Sequence, residues 1–243
     1  MPLSHSHQSD FPPVVYKYRT WSKVEDRYPL LNNTLYLSSP ASFNDPYDCR
    51  IPPNYYLLDT EKKIKEYAIF QVEENSKFLL KNGVNPNDEI ESICSRLRNP
   101  VSLREFQIHS NRIHFESQNK HLGVLCLSER FDSPAMWAHY AENQKGYCIG
   151  FSEEKLRRSE LFGKGGRVRY DNTFPEISPI TNLSEEYIEN SFLETHTKST
   201  DWSYEKEYRL TKLFYPKVPT TEDRTINIPN NFVVEVIIGF NTE

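Results

Sequence analysis

Between Thr60 and about Lys120 the chain is written in Glu, Lys, Gln, Leu and Ile, whereas the sequence on either side of that block runs in β-branched and aromatic stretches. A long helical stretch set between strand-rich flanks constrains the chain to an α+β fold, with strands recruited from both sides of the helices. Within the block, Ile64, Ala68, Phe70, Phe78 and Leu79 supply the apolar positions, and Asn-Gly and Asn-Pro break it near 82–87, so two or three scaffold helices are predicted. Strands are predicted at Val14 to Arg19, Thr34 to Ser38, Gly123 to Ser128, Gly146 to Phe151, Arg167 to Tyr170, Tyr204 to Phe214 and Asn231 to Gly239. The run Gly123 to Ser128 is almost continuously apolar, as a central strand buried on both faces requires. The expectation is a central mixed or antiparallel sheet of six or seven strands. Residues 1–13 read as a flexible lead ending in Pro12-Pro13, and 14–243 as one domain with its helical insertion at about 60–120.

The net charge is -5, which argues against a broad duplex-DNA-binding face, since that mode depends on neutralising phosphates. Arg130, Lys145, Arg167 and Arg169 leave room for a single strand at a local patch. The four cysteines, Cys49, Cys94, Cys126 and Cys148, show no CxxC or CxxH spacing and are expected as free, mostly buried thiols. Met1 to Asp10 has no apolar core and no run approaches the length of a membrane span, so the expectation is a cytoplasmic protein without a membrane partner. With 15 Tyr against 8 Gly, many tyrosine rings should carry a hydroxyl to a cleft or to the surface.

The sharpest local feature is Trp202-Ser203-Tyr204-Glu205-Lys206-Glu207-Tyr208-Arg209-Leu210. As one strand, it places Glu205, Glu207 and Arg209 on one face and Tyr204, Tyr208 and Leu210 on the other. Company for those charges is available from Arg19 at the end of the first strand and from the loop holding Ser38, Ser39, Phe43 and Asp45. A short helix from Pro134 to Ala141, capped by Ser133, carries Trp137, His139 and Tyr140. No GxxxxGK[ST], GxGxxG, GxSxG or HExxH motif is present. Gly163-Lys164-Gly165-Gly166-Arg167 reads as a β-connection rather than a phosphate loop, because a strand before it and a helix after it are lacking.

Taken together, Tyr16 to Arg19, Leu35 to Pro40, Phe43 to Asp48, Met136 to Ala141 before Gly146-Tyr147-Cys148, and Trp202 to Arg209 resemble a bacterial family catalogued as a domain of unknown function, number 2971. The resemblance runs from about Val14 to Gly239, and it implies a setting among mobile or defence-associated genes, as for a toxin. A second resemblance is to ADP-ribosyltransferases of the arginine, serine, glutamate type. It implies NAD as substrate, with Arg19 on the pyrophosphate, Tyr18 or Phe43 stacked on nicotinamide, and Ser38-Ser39 or Ser128 as the serine element. On the same resemblance Glu207 stabilises the charge that develops on the ribose and Glu205 orients or deprotonates the acceptor. His139 is a third candidate catalytic residue, on the target side, which Trp137, Tyr140, Asp45 and Arg209 would line. The expected acceptor is an unknown macromolecule, protein or single-stranded nucleic acid.

Two other readings stand beside it. A metal-dependent nuclease would gather Asp45, Asp48, Glu205 and Glu207 with Lys206 around magnesium. A non-catalytic ligand-binding module would use the same cleft without turnover.

Overall fold

The computed structural model describes residues 11–163, 165–180 and 185–242; residues 1–10 of the expected lead, Lys164 and Ser184 lie outside these. Ten strands are seen among the described residues. They are β1 (Val14–Arg19), β2 (Thr34–Tyr36), β3 (Leu122–Ser128), β4 (Tyr147–Ser152), β5 (Gly165–Arg167), β6 (Arg169–Tyr170), β7 (Thr197–Lys198), β8 (Glu207–Leu213), β9 (Thr225–Asn227) and β10 (Val233–Ile238). The chain is α+β and falls into two compact units. The first comprises Met1–Cys49, Gln118–Thr173 and His196–Glu243, and the second Arg50–Ser117 and Phe174–Thr195.

The first unit is built on a six-stranded sheet in the order β10-β4-β1-β3-β8-β5, with every neighbouring pair antiparallel. The apolar run that named β3 as central is buried along almost its whole length. Strand parity sorts two cores. Val15, Leu125, Leu127, Ile149, Phe151, Tyr208 and Leu210 pack on one face with Leu35 and Ile226 from the β2–β9 pair and Leu37 just after β2. Tyr16, Tyr18 and Cys148 face the other way, against Met136, Trp137 and Ala141. The helix that carries these residues, Pro134–Tyr140, starts where its sequence says it should: Ser133 accepts from the Met136 amide and proline fills the first turn. Gly146 lets β4 begin hard against β1, because a Cβ there would collide with the carbonyl of Arg19.

The second unit is helical, with Glu61–Glu74, Ser76–Lys81, Pro86–Arg98 and most of Pro100–His121. Four segments therefore stand where two or three were expected. Asn85, within the break expected near 82–87, opens Pro86–Arg98 by accepting from the Asn87 amide, and Asn99, accepting from the Val101 and Ser102 amides, opens Pro100–His121 and divides the run more finely than its apolar pattern shows. Ile64, Tyr67, Ala68, Cys94 and Leu97 form its core.

Three expectations are corrected. The predicted strand from Tyr204 does not exist as such: Thr200–Glu205 is a 3-10 helix, Lys206 adopts φ 44 and ψ 53, and β8 begins only at Glu207. Arg167 to Tyr170 is not one strand, since β5 pairs with β8 while β6 runs parallel to β7. Gly165 and Gly166, read as a connection, belong to β5.

Candidate functional site

The site lies where the sheet of the first unit opens. On the edge of β3 that faces β1, alternate residues find three different partners. Ser128 lies opposite Tyr16 of β1, the one register pair between these strands. Val124 instead exchanges both backbone hydrogen bonds with Ser38, at 2.8 and 2.9 Å. Between them the Cys126 carbonyl accepts from Lys17 Nζ at 2.5 Å. A backbone carbonyl left unpaired in a sheet is costly, so a lysine reaching across the gap lets β1 and β3 separate without that penalty. The separation leaves a cleft of about 350 Å³, with Lys17, Arg19, Ser38, Phe43, Tyr140, Lys198, Glu205 and Glu207 among its lining residues.

Beneath the cleft sits a cluster of three carboxyl groups and two cations. Arg209 is completely buried and its guanidinium is a double fork. Nη1 and Nη2 donate to the two Asp48 oxygens at 2.7 and 2.6 Å, while Nε and Nη2 donate to the two Glu207 oxygens at 2.7 and 2.8 Å. Lys198 Nζ donates to Glu205 Oε2 at 2.7 Å and lies 3.4 Å from Glu207 Oε2 and 3.6 Å from Asp48 Oδ2. The second oxygen of Glu205 accepts from the Tyr140 hydroxyl at 2.6 Å. Rings cover the cations: Lys198 lies 4.6 Å from the Trp202 centroid and Arg209 5.6 Å from that of Phe43. Each charge depends on the others, and removing one partner from a buried pair of this kind costs about 3–5 kcal/mol.

Protonation follows from that geometry. Burial pushes the Glu207 carboxyl up, but Arg209 and Lys198 more than reverse this and hold it well below the usual carboxylate range. Burial disfavours the Lys198 charge as well, and Glu207, Glu205 and Asp48 overturn that, leaving the amine firmly protonated. Burial and the bond to Glu205 raise the Tyr140 hydroxyl. For Lys17, burial and the like charge of Arg19 outweigh the opposing pull of Cys126, Glu207 and Asp26, and its amine falls to about 8.

The residues singled out from sequence divide clearly. Glu205, Glu207, Arg19, Tyr18, Ser38, Phe43, Ser128 and Tyr140 all line the cleft. Glu205 and Glu207 share a side although they do not share a strand. The left-handed Lys206 reverses the chain between them, and Tyr204 packs near Met136 and Trp137 rather than with Tyr208 and Leu210. Arg209 is not a surface for substrate, because all of its guanidinium is buried in the ion pairs below the cleft. Asp45 is a turn residue whose side chain accepts from the Tyr47 amide. Ser39 donates to the Asn119 carbonyl and caps the turn at Ala41, so of the three expected serines Ser38 and Ser128 line the cleft, joined there by Ser42. Trp137 belongs to the core, edge-on to Tyr18 with its indole N–H on the Phe131 carbonyl at 2.7 Å. His139 is exposed, on the outer side of the same helix, with its ring 6.0 Å from that of Tyr204.

Asp48 entered the sequence reading only as a metal ligand, and Lys198 and Lys17 not as site residues at all. Asp48 and Lys198 sit on a loop and on a two-residue strand, where neither periodicity nor spacing marks a residue. Of the carboxylates that a magnesium site would use, Asp48, Glu205 and Glu207 are committed to Lys198 and Arg209, and Asp45 accepts from the Tyr47 amide. Among the described residues no group of three or more His, Cys, Asp or Glu is arranged to hold a metal ion. Arg130, Arg167 and Arg169, read as a basic patch, each pair with an acid: Asp132, Glu129 and Asp171. None of the four cysteines is in a disulfide, and among the described residues no helix is long and apolar enough to cross a membrane.

Residues 136–210, from the helix under the cleft to the middle of β8, match the model of a family described as "Protein of unknown function (DUF2971)". No curated protein and no solved structure matches the chain.

Proposed function

We propose, taking residues 136–210 as a segment of that family of unknown function, that the chain binds NAD in the β1–β3 cleft and transfers ADP-ribose to a macromolecular acceptor. One observation carries the reading. Arg19, Ser128 and Glu207 stand on three neighbouring strands, β1, β3 and β8, and all three line one cleft.

Ser128 positions the two glutamates, opposite Glu207 across the ladder and bonded to the Glu205 carbonyl, while Arg19 and Glu207 have chemistry to supply. Arg19 is a permanently charged donor for the pyrophosphate. Phe43, half-buried on the wall, offers a face for nicotinamide. As the nicotinamide–ribose bond breaks, positive charge grows on the ribose. Glu207, kept ionised by Arg209 and Lys198, is a fixed negative group that answers that charge without having to reorganise. Glu205 and the Tyr140 hydroxyl bonded to it face the acceptor side and receive the proton of the incoming nucleophile.

The test is incubation of the full chain with NAD, with and without cell extract and RNA, following nicotinamide by mass. Release that is lost in Glu207→Gln and falls in Tyr140→Phe, both variants still melting cooperatively, is the expected result. NAD binding by calorimetry without release would replace the transferase by a ligand-binding module. Absence of both binding and release would overturn the reading.

A further inference from the structure

We propose that Lys17 is a second reactive group of the cleft, an amine that condenses with the aldehyde of a phosphorylated sugar whose phosphate is held by Arg19. The proposal takes the cleft from the reading above but not its reaction.

The two lysines that line the cleft are placed in opposite ways. Lys198 is pinned by Glu205, Glu207 and Asp48, all within 3.6 Å, so its amine is a structural cation. The Lys17 amine, by contrast, makes its hydrogen bond to a neutral acceptor, the Cys126 carbonyl, in the gap between β1 and β3. Among the described residues no carboxylate stands within ion-pair distance of it. An amine that donates one N–H to a carbonyl is oriented by that bond, and when unprotonated its lone pair stays available to the cleft. Burial and the charge of Arg19 favour the unprotonated form, with a pKa of about 8.

Arg19 supplies the second half of the site. It lies two residues along the same strand, lines the same cleft, and is only loosely paired with Asp26 at 3.5 Å. Its Nε is buried without a hydrogen-bond partner. A buried donor without an acceptor is costly, and a phosphate oxygen is the acceptor that a guanidinium fits best. A phosphate on Arg19 and an aldehyde at Lys17 belong to one class of molecule, a sugar phosphate in its open form. ADP-ribose, which NAD hydrolysis would release, is one source, and a free pentose phosphate is another.

The chemistry balances without a cofactor. The lone pair of Lys17 Nζ attacks the aldehyde carbon, the carbonyl electron pair takes up a proton, and loss of water from the carbinolamine leaves an imine. Cyanoborohydride then delivers hydride to the imine carbon and fixes the link as a secondary amine.

The experiment incubates the full chain at neutral pH with cyanoborohydride and either ADP-ribose, ribose 5-phosphate or NAD, and measures by peptide mass which lysines gain the sugar. Lys62, with 84% of its side chain exposed, is the internal reference. With ADP-ribose, Lys17 should be labelled at least about tenfold faster than Lys62. Arg19→Gln should slow labelling at Lys17 by about tenfold while leaving Lys62 unchanged. Lys17→Arg should remove the labelled peptide and keep the charge. Equal labelling by ribose 5-phosphate would identify the pentose phosphate as sufficient. Labelling by ADP-ribose but not by NAD would uphold Lys17 while removing support for NAD cleavage. Labelling of Lys17 no faster than Lys62 overturns the proposal, and because that reading comes from the unmodified chain it does not depend on any variant folding.

Discussion

Ser128 lies directly opposite Glu207 across the β3–β8 ladder, and its hydroxyl donates to the backbone carbonyl of Glu205 at 2.6 Å. One serine thus fixes both carboxylate-bearing residues, one through its backbone position and the other through its side chain. The same hydroxyl accepts from the Arg130 amide at 3.2 Å, so it is fully used within the protein. Ser128→Ala should leave the buried Glu205 carbonyl without its donor. A loss of about 1–3 kcal/mol in urea unfolding is expected, with secondary structure unchanged by circular dichroism. A loss below about 0.5 kcal/mol would mean that the 3-10 turn before Lys206 is held by other contacts.

Glu207 makes the fold sensitive to acid in a defined window. Its folded-state pKa, about 2, lies below the ordinary 4.5, so its stabilising effect is present above about pH 4.5 and is lost as the pH falls toward 2. Denaturant midpoints measured from neutral pH downward should therefore fall through that window, Glu207 contributing about 1–3 kcal/mol. Glu207→Gln should be less stable at neutral pH and show a flatter acid limb. Parallel acid limbs in the two proteins would show that Glu207 is not the group titrating.

How much of this was legible beforehand depended on what each element answers to. The strand β3 and the helix Pro134–Tyr140 are fixed by local rules, an apolar run and a Ser-Pro start, and both lie where those rules put them. Glu205, Glu207 and Arg209 were rightly grouped, but through the wrong geometry, because nothing in Glu-Lys-Glu announces a left-handed lysine. The cluster's other members, Asp48 and Lys198, arrive from 161 residues before Arg209 and from seven residues before Glu205. Such pairings are chosen by the need to neutralise buried charge, and that need appears only once the sheet has formed.

Lys206 offers a separate check on that turn. Its φ of 44 is strained for a side-chain-bearing residue, at a cost of about 1–2 kcal/mol, and the side chain itself is exposed. Lys206→Gly should relieve the strain but loosen the unfolded chain, for a net change between zero and about 1 kcal/mol of added stability. Lys206→Val, which resists this conformation more strongly, should cost about 1–2 kcal/mol. Thermal melts of the two variants against the parent decide it, and equal effects of Gly and Val would mean that the turn does not depend on residue 206.

Tyr140 separates positioning from chemistry. Its hydroxyl holds Glu205 Oε1 at 2.6 Å and receives a longer contact from Asn44 Nδ2 at 3.5 Å, while its ring packs against the core of Tyr16, Tyr18 and Met136. Tyr140→Phe keeps the ring and removes only the hydroxyl, so the stability cost should stay near 1 kcal/mol. Lys198 still holds the other Glu205 oxygen at 2.7 Å, so the carboxylate remains in place but loses the group through which it meets an acceptor. If the cleft performs the proposed transfer, NAD should bind the variant as it binds the parent, and transfer to the acceptor should fall by about 100-fold. An equal loss in NAD affinity would mean that Tyr140 shapes the nucleotide site, and unchanged transfer would remove both Tyr140 and Glu205 from the acceptor side.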